Sequence, residues 1–149
     1  MTVSLDTNVL VYAANVGNSD RHRVANEVIS RAAAAGGVLT LQSLADFVRV
    51  MTVKARLQYF ETKRLVDAWR RTFRVYAANE EAFDMALEAS ASHGLPIFDA
   101  ILWATARQAG CDVLITEDFQ DGRSLGGVTF LNPFEPKNVR RLERVLPKL

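Results

Sequence analysis

Four aspartates, Asp6, Asp46, Asp99 and Asp118, are the residues of this chain whose type and spacing could do chemistry. Carboxylates are rarely buried in proteins unless another group compensates their charge. If several of them converge in one cleft, a hard divalent cation is the expected compensator, because such ions prefer oxygen ligands. The pattern therefore favours metal-dependent phosphoryl-transfer chemistry.

Two of these acids follow short apolar runs that are typical of buried strands. Asp6 comes after residues 3–5, and Asp118 comes shortly after residues 113–115. In open α/β sheets, ligands bind beyond the carboxyl ends of the strands. If the two strands run parallel, Asp6 and Asp118 lie at the same edge of the sheet.

The remaining two acids lie on predicted helices. Asp99 begins a run that is apolar on most sides, which is typical of a buried helix, so its carboxylate is expected to face an internal cleft. Asp46 projects away from the apolar stripe of its helix and towards Arg49, and from the residues alone a solvated face is the favoured interpretation.

Each acid also has a local alternative. Asp6 could cap a helix over residues 9–14, and Asp99 would be favourable in any first turn. Near Asp118, either Glu117 or Asp121 could contribute a carboxylate instead, because turns favour acidic residues.

Strand-like and helical patterns alternate along the chain, which predicts an α/β fold with a mostly parallel sheet. The strand-like runs are residues 2–5, 38–41, 75–77, 112–116 and 128–131. With no internal repeat and no linker-like segment, the 149 residues are expected to form a single domain over residues 1–149.

The helix boundaries are predicted from capping residues. Asp20 and Ser43 are expected to be N-caps, and the helix after Asp20 is expected to reach Ala35. Asn79 is predicted to cap a helix that Gly94 ends.

The next helix is expected to follow Pro96 and to run to Gly110. Residues 54–74 are expected to form one basic helix, or two helices broken near residues 59–62.

The net charge of +1 conceals an uneven distribution of charged residues. Residues 49–76 carry eight Arg or Lys against two acids, whereas residues 77–121 carry nine acids against one base. The C-terminal residues 137–148 are basic again. Basic segments on both sides of an acidic one would suit a polyanion held over a metal centre, although solvated helix faces are the commoner explanation.

Several other classes of protein are disfavoured by the composition. No run of eighteen apolar residues and no secretory signal is present, so the chain is expected to be cytoplasmic. The one cysteine, Cys111, is expected to be a buried thiol in a reducing compartment. His22 and His93 lack the spacing and the thiol partners of a zinc site.

Four segments together resemble the motif series of PIN-domain nucleases, in particular the VapC-type toxins of toxin–antitoxin systems. Each is weak alone, but their order is specific, and the likeness covers about residues 2 to 134. The four segments are residues 5–10, 42–47, 99–102 and 114–119.

The resemblance implies a three-layer α/β/α fold and a Mg²⁺- or Mn²⁺-dependent endoribonuclease. By position, Asp6 and Asp99 would be the principal metal ligands, Asp118 would complete the set, and Asp46 would be the fourth catalytic acid. Asn8 would support Asp6, and Thr116 would orient a ligand or a water. Asp46 departs from the family pattern, which usually has a glutamate there, one methylene longer.

The family also implies partners: an RNA substrate, a cognate antitoxin protein and a second copy of the chain in a homodimer, without a membrane. An antitoxin segment could use apolar residues among Phe47, Val50, Tyr59, Phe60 and Trp69 as a groove, although core packing is the commoner role of such residues.

The alternatives come from other classes of function. A catalytically impaired PIN-fold protein would act as an RNA-binding or partner-binding module. A receiver-type phosphoacceptor lacks the expected acidic pair and late lysine, and an Asp-x-Asp phosphatase would need an acid where Asn8 stands. DNA remains open as a substrate, because carboxylate–metal chemistry does not need the 2′-hydroxyl group.

Overall fold

A six-stranded sheet lies at the centre of the computed structural model, which describes residues 1–15, 17 and 19–149. The spatial order of the strands is β3-β2-β1-β4-β6-β5, and within these residues every pairing is parallel except that of β5 with β6. The strands are β1 (Val3–Leu5), β2 (Val38–Thr40), β3 (Arg74–Tyr76), β4 (Val113–Ile115), β5 (Ser124–Leu125) and β6 (Val128–Leu131).

Helices connect the strands and cover both faces of the sheet. They are α1 (Thr7–Ala14), α2 (Ser19–Ala34), α3 (Leu41–Val53), α4 (Tyr59–Thr72), α5 (Glu80–His93), α6 (Ile97–Gln108) and α7 (Val139–Val145), the last preceded by a 3₁₀ turn (Pro136–Asn138). No helix in the described part of the chain is long and apolar enough to cross a membrane.

The alternation of side chains along the strands divides the core into two layers. Val113 and Ile115 of β4 pack in one cluster with residues of α1, α2, α3 and α7, whereas Leu114 packs in the other with residues of α5 and α6. Successive residues of a strand point to opposite faces, so a strand apolar at every position is covered on both sides. The predicted three-layer α/β/α fold with a mostly parallel sheet is confirmed.

Two predicted caps are wrong by a few residues. Helix α3 is capped by Thr40, whose Oγ1 accepts a hydrogen bond from the N–H of Ser43 at 3.1 Å, so that Ser43 lies inside the helix and is buried. Thr40 has extended backbone at the end of β2, which suits an N-cap. Helix α2 begins at Ser19, which puts Asp20 in its first turn.

The prediction for α5 is confirmed in detail. Asn79 accepts a hydrogen bond from the N–H of Ala82 at 2.9 Å, and Gly94 ends the helix with a φ of 71°. The helix predicted after Pro96 is also confirmed, although it ends at Gln108.

Three elements differ from the prediction. The basic segment after α3 forms a single helix, α4, that begins at Tyr59 and not at residue 54. Strand β5 and helix α7 were not predicted. Strand β5 has two residues, and α7 has seven residues of which only Leu142 is buried, so neither produces a clear apolar pattern.

Candidate active site

The pairing of β1 with β4 determines where Asp6 lies. Leu5 is opposite Ile115 in the parallel register, and the ladder continues with a 2.9 Å hydrogen bond from the N–H of Asp6 to the carbonyl oxygen of Ile115. The next residue of the other chain segment is Thr116, which donates its own N–H to Leu131 at 3.0 Å. Asp6 and Thr116 therefore leave the sheet side by side at its carboxyl edge.

Asp6 is both a helix cap and a buried acid. Its Oδ1 accepts a hydrogen bond from the N–H of Thr7 at 2.7 Å, as the N-cap of α1, and its Oδ2 accepts one from Oγ1 of Thr116 at 2.7 Å. The residue is only 6% exposed. The two interpretations that the sequence left open for Asp6 are thus compatible with each other.

Burial changes the acidity of Asp6. The pKa of Asp6 is raised from 3.8 to about 6, mainly by desolvation on burial and to a smaller extent by the nearby carboxylates of Asp118 and Asp99. The hydrogen bonds from Thr116 and Thr7 act in the opposite direction, because they stabilise the carboxylate. Within the described residues, no ion pair involves Asp6, Asp99 or Asp118.

Asn8 links the acids at this edge. Its Nδ2 donates to Oδ2 of Asp118 at 3.1 Å and also lies 3.4 Å from Oγ1 of Thr116 and 3.5 Å from Oδ2 of Asp6. The N–H of Asp118 donates to Oγ1 of Thr116 at 3.1 Å. Asn8 and Thr116 therefore orient both carboxylates, while Oδ1 of Asn8 is buried with no hydrogen-bond partner in the described part of the chain.

Asp99 and Asp46 reach the same cleft from two helices. Asp99 lies in the first turn of α6, and its pKa is raised by burial and then by the charges of Asp118 and Asp46. Asp46 lies on α3, where its Oδ1 is 3.5 Å from Nε of Arg49.

Two polar contacts hold α3 next to the other elements of the site. Oγ1 of Thr7 donates to the carbonyl oxygen of Ser43 at 3.2 Å, and Nε2 of Gln42 donates to the carbonyl oxygen of Phe98 at 2.8 Å. The first contact joins α3 to α1, and the second joins it to the first turn of α6.

All four predicted acids line one cleft of about 730 Å³. Asn8 lines it as well, whereas Thr116 contacts the acids from beneath, being 1% exposed. Thr7, expected with Asn8 to fix the loop beside Asp6, and Val50 of the expected partner groove also line the cleft. The cleft is further lined by residues that were not predicted as site residues: the polar Tyr12, the basic Arg49 and Lys54, and the apolar Val11, Met51 and Leu57. Arg49 follows Asp46 by one helical turn, and this spacing could have identified it.

The two alternative acids have other contacts and are not among the residues that line the cleft. Glu117 forms an ion pair with Arg21 and accepts a hydrogen bond from the hydroxyl group of Tyr12 at 2.8 Å. Asp121 accepts hydrogen bonds at 2.9 Å from Nδ2 of Asn138 and from the backbone N–H of Asn132.

Residues 3–120 match the family model of the PIN domain. The chain belongs to the PIN domain family. The matched segment contains all four acids together with Asn8 and Thr116, so the resemblance noted in the motifs is confirmed. A comparison with curated proteins gives no significant match.

Three solved structures similar to this PIN domain are of toxins or toxin–antitoxin complexes. VapBC-1 from nontypeable Haemophilus influenzae is 16% identical with a TM-score of 0.63, covering 91% of this chain and 100% of that one. A toxin–antitoxin complex from Klebsiella pneumoniae is 21% identical with a TM-score of 0.62, covering 89% and 98%. VapC20 from Mycobacterium tuberculosis, a toxin that cleaves the sarcin–ricin loop, is 17% identical with a TM-score of 0.60, covering 75% and 86%. At these identities the likeness shows the fold.

The apolar residues expected to form a partner groove are divided between core and surface in this PIN domain. Phe47 is fully buried and Trp69 packs against it edge to face, with ring centroids 4.8 Å apart. Tyr59 and Phe60 are exposed, whereas Val50 lines the cleft.

The donor set of the PIN-domain cleft fits a hard divalent cation. The carboxylates that line the cleft offer oxygen ligands, and three of the four acids have no ion pair in the described residues. The amide oxygen of Asn8, which also lines the cleft, is buried there without a hydrogen-bond partner among these residues. Among the described residues, however, no three His, Cys, Asp or Glu side chains are close enough together to form a complete metal site. Mg²⁺ commonly binds through one or two carboxylates and keeps several waters, so this arrangement suits it.

The raised pKa of Asp6 makes the stability of this PIN domain depend on pH. Between the ordinary carboxyl value of 3.8 and about 6, the folded state keeps a proton on Asp6 that the unfolded state releases. Stability is therefore highest below that interval and falls as the pH rises through it. We expect Asp6→Asn to raise the free energy of unfolding by about 1–3 kcal/mol at about pH 7.5 in EDTA, and to leave it nearly unchanged at about pH 4.

Urea denaturation at the two pH values measures this difference. Asparagine is the suitable replacement because it is as good an N-cap as aspartate and removes the charge, although its amide nitrogen cannot accept the hydrogen bond that Thr116 donates to Oδ2. The matched control is Asp84→Asn on the exposed surface of α5, which should change stability little at either pH. An Asp6→Asn variant that loses stability at pH 7.5 would contradict the electrostatic account.

Proposed function

We propose that this PIN domain is a divalent-metal-dependent endoribonuclease and the toxin of a type II toxin–antitoxin pair. The observation that carries the proposal is the convergence of four aspartates on one cleft around the buried Asp6. RNA is proposed as the substrate because a structural neighbour is a toxin that cleaves the sarcin–ricin loop. Mg²⁺ or Mn²⁺ is proposed as the cofactor on the chemistry of the oxygen donors.

The acids are proposed to hold the cation and to orient the phosphodiester. Asp6 and Asp99 are the principal ligands in this proposal, Asp118 completes the set, and Asn8 with Thr116 keeps the first and third carboxylates in place. A bound divalent ion supplies an activated water and stabilises negative charge at phosphorus. Asp46 also lines the cleft, and its short carboxylate is paired with Arg49.

The cleft residues leave hydrolysis by water as the most economical chemistry. The described residues that line it include no cysteine, serine or histidine. Tyr12 does line it, but its hydroxyl group donates a hydrogen bond to Glu117, and the pKa of Tyr12 is raised by burial and then by this contact. A covalent protein intermediate is therefore not part of the proposal.

Removal of a proposed ligand tests the enzymatic function. Asp6→Asn and Asp99→Asn should each lower Mg²⁺-dependent cleavage of a cellular RNA mixture by at least about a hundredfold, because changes to groups that only support a ligand already cost 10- to 100-fold. Circular dichroism checks that both variants fold. Asp84→Asn serves as the control and should cleave like the parent chain.

Two results would decide against this function. If the parent chain cleaves no RNA with Mg²⁺ or Mn²⁺, the alternative of a catalytically impaired RNA- or partner-binding module takes its place. If both variants retain activity in the presence of EDTA, the proposed metal chemistry is wrong.

An antitoxin is proposed as the partner of the apolar half of the cleft. The apolar lining that this name refers to consists of Val11, Val50, Met51 and Leu57, and the four acids line the same cleft. An amphipathic segment could cover the apolar part while a basic side chain reaches the carboxylates. Such a segment would exclude both the cation and the RNA.

Growth assays test the antitoxin proposal. Expression of the chain should arrest growth, and co-expression of a short neighbouring reading frame from the same genome should restore it. Val50→Glu should weaken the rescue because it places a charge in the apolar half of the cleft, whereas Val53→Glu, on the exposed side of the same helix, should not. Equal rescue of both variants would contradict the proposed binding surface.

We also propose that the chain forms a homodimer through a second surface, made of residues that do not line the cleft. Four large apolar side chains are exposed near the start of α3, on α5 and at the start of α6, namely Leu41, Phe83, Leu87 and Phe98. Phe83 and Leu87 are four residues apart and so lie on one side of α5. Apolar groups of this size are commonly covered in an assembly.

Light scattering with size-exclusion chromatography tests the dimer. The parent chain should have twice the mass of one chain, and the double variant Phe83→Glu/Leu87→Glu should have the mass of a monomer because it buries two charges in the interface. Leu65→Glu on α4 is the matched control and should remain dimeric. A monomeric parent chain at high concentration would end this part of the proposal.

A further inference from the structure

Two cations stand beside the acids in the candidate active site. Arg49 lies one turn after Asp46 on α3, and Lys54 is the C-cap residue directly after α3; both line the cleft. At 1.5 Å per residue, the five steps between them cover about 7–8 Å along the helix axis. One side of the cleft is therefore basic, although the acids lie close by.

The contact between Arg49 and Asp46 leaves most of the guanidinium available. It joins Nε of Arg49 to Oδ1 of Asp46 at 3.5 Å, and no described residue makes a hydrogen bond or an ion pair with either terminal nitrogen of Arg49. The side chain of Arg49 is 62% exposed. A guanidinium presents a planar pair of donors that matches two phosphate oxygens, which an ammonium group does not.

Asp46 differs from the other three acids in having a cationic partner. It alone among the four has an ion-pair partner in the described residues. The contact uses Oδ1 of Asp46, and the side chain of Asp46 has only one methylene group between Cα and the carboxyl carbon, which limits its reach away from α3. Its contact in the structure is instead with Nε of Arg49.

We propose that Arg49 binds a backbone phosphate of the RNA strand and that Asp46 is its positioning residue and not a metal ligand. The inference rests on the proposed nuclease function, because it assigns two residues of the same cleft to substrate binding. Lys54 provides a second cation further along the strand. The protein ligands of the metal would then come from Asp6, Asp99 and Asp118, with waters in the remaining positions, and not from Asp46.

The decisive variant removes the ion pair without changing the net charge. Asp46→Asn combined with Arg49→Gln takes away one negative and one positive charge, so the overall potential of the cleft changes little. We expect this double variant to bind Mn²⁺ with an affinity within about twofold of the parent chain, measured by electron paramagnetic resonance without RNA, whereas Asp99→Asn should weaken it at least about tenfold. A loss with the double variant as large as that with Asp99→Asn would overturn the assignment of Asp46.

RNA binding tests the role of Arg49 independently of cleavage. The probe is an end-labelled, mixed-sequence single-stranded RNA, and its affinity is measured by fluorescence anisotropy in EDTA over a range of salt concentrations. Arg49→Gln and the double variant should both bind about tenfold more weakly, and the slope of log K against log salt should fall by about 0.7, the value for one phosphate contact on a single strand. Arg64→Gln, an equal charge change on the exposed face of α4, should have a much smaller effect on affinity.

A double-mutant cycle tests whether Asp46 acts through Arg49. The effect of Asp46→Asn on RNA affinity should differ by at least about twofold between the parent chain and the Arg49→Gln background. Equal effects in both backgrounds would show that Asp46 does not position Arg49. An unchanged RNA affinity of the Arg49→Gln variant would show that Arg49 does not bind a phosphate. All these measurements are made without cleavage, so their failure can be distinguished from an inability of the protein to cut RNA.

Discussion

The burial of one carboxylate, that of Asp6, is the constraint on which the candidate site depends. The parallel pairing of β1 with β4 places Asp6 beside Thr116 at the carboxyl edge of the sheet. There the side chain loses most of its contact with water, which raises its pKa to about 6. A backbone N–H and a threonine hydroxyl compensate part of the lost hydration, and they orient both oxygens. These two hydrogen bonds compensate only part of the cost of burial, so a bound cation would stabilise the carboxylate form of Asp6 further.

The other acids depend on contacts between distant parts of the chain. Asp118 is fixed from the edge of the sheet through Asn8, whereas Asp46 and Asp99 come from helices whose relative positions are set by Thr7 and Gln42. None of these contacts lies within a single helix or strand. The geometry of the cleft is therefore a property of the packed domain, and it would be lost if α3 separated from α1 and α6.

The sequence predicted the elements that have a strong local signal. Strand β4 is apolar at every position because it is covered on both faces, and α5 carries a capping asparagine and a terminal glycine, so both were found. The N-cap of α3 was misplaced because Thr40 and Ser43 are both good capping residues, and only the end of β2 decides between them. Strand β5 and helix α7 are too short for a periodic pattern.

For the site, the sequence had different success with different residues. Asp6 could be recognised because it follows a strand, and Asp99 because apolar residues surround it. Asp46 has no local feature that marks it, since it projects away from the apolar stripe of its helix, next to Arg49, as residues of a solvated surface do. Glu117 and Asp121 could not be separated from Asp118 by spacing. Their contacts with Arg21 and with Asn138 are formed between segments far apart in the chain.

Helix α3 carries both an acid and a base into the cleft, and the positions of these two charges relative to each other matter for a substrate. Several carboxylates in one cleft would repel an anionic substrate such as a phosphodiester. Such a substrate would therefore need positive side chains close to the acids, in addition to any cation that the acids bind. Arg49 and Lys54 supply that charge from the same helix that carries Asp46. At a separation of about 4 Å, an ion pair near the surface is strong enough to bias the orientation of an arginine and too weak to withhold it from a phosphate. On this view an aspartate at position 46 serves the cleft through its neighbour one turn away, and its shorter side chain is an advantage because it keeps the carboxylate close to its own helix.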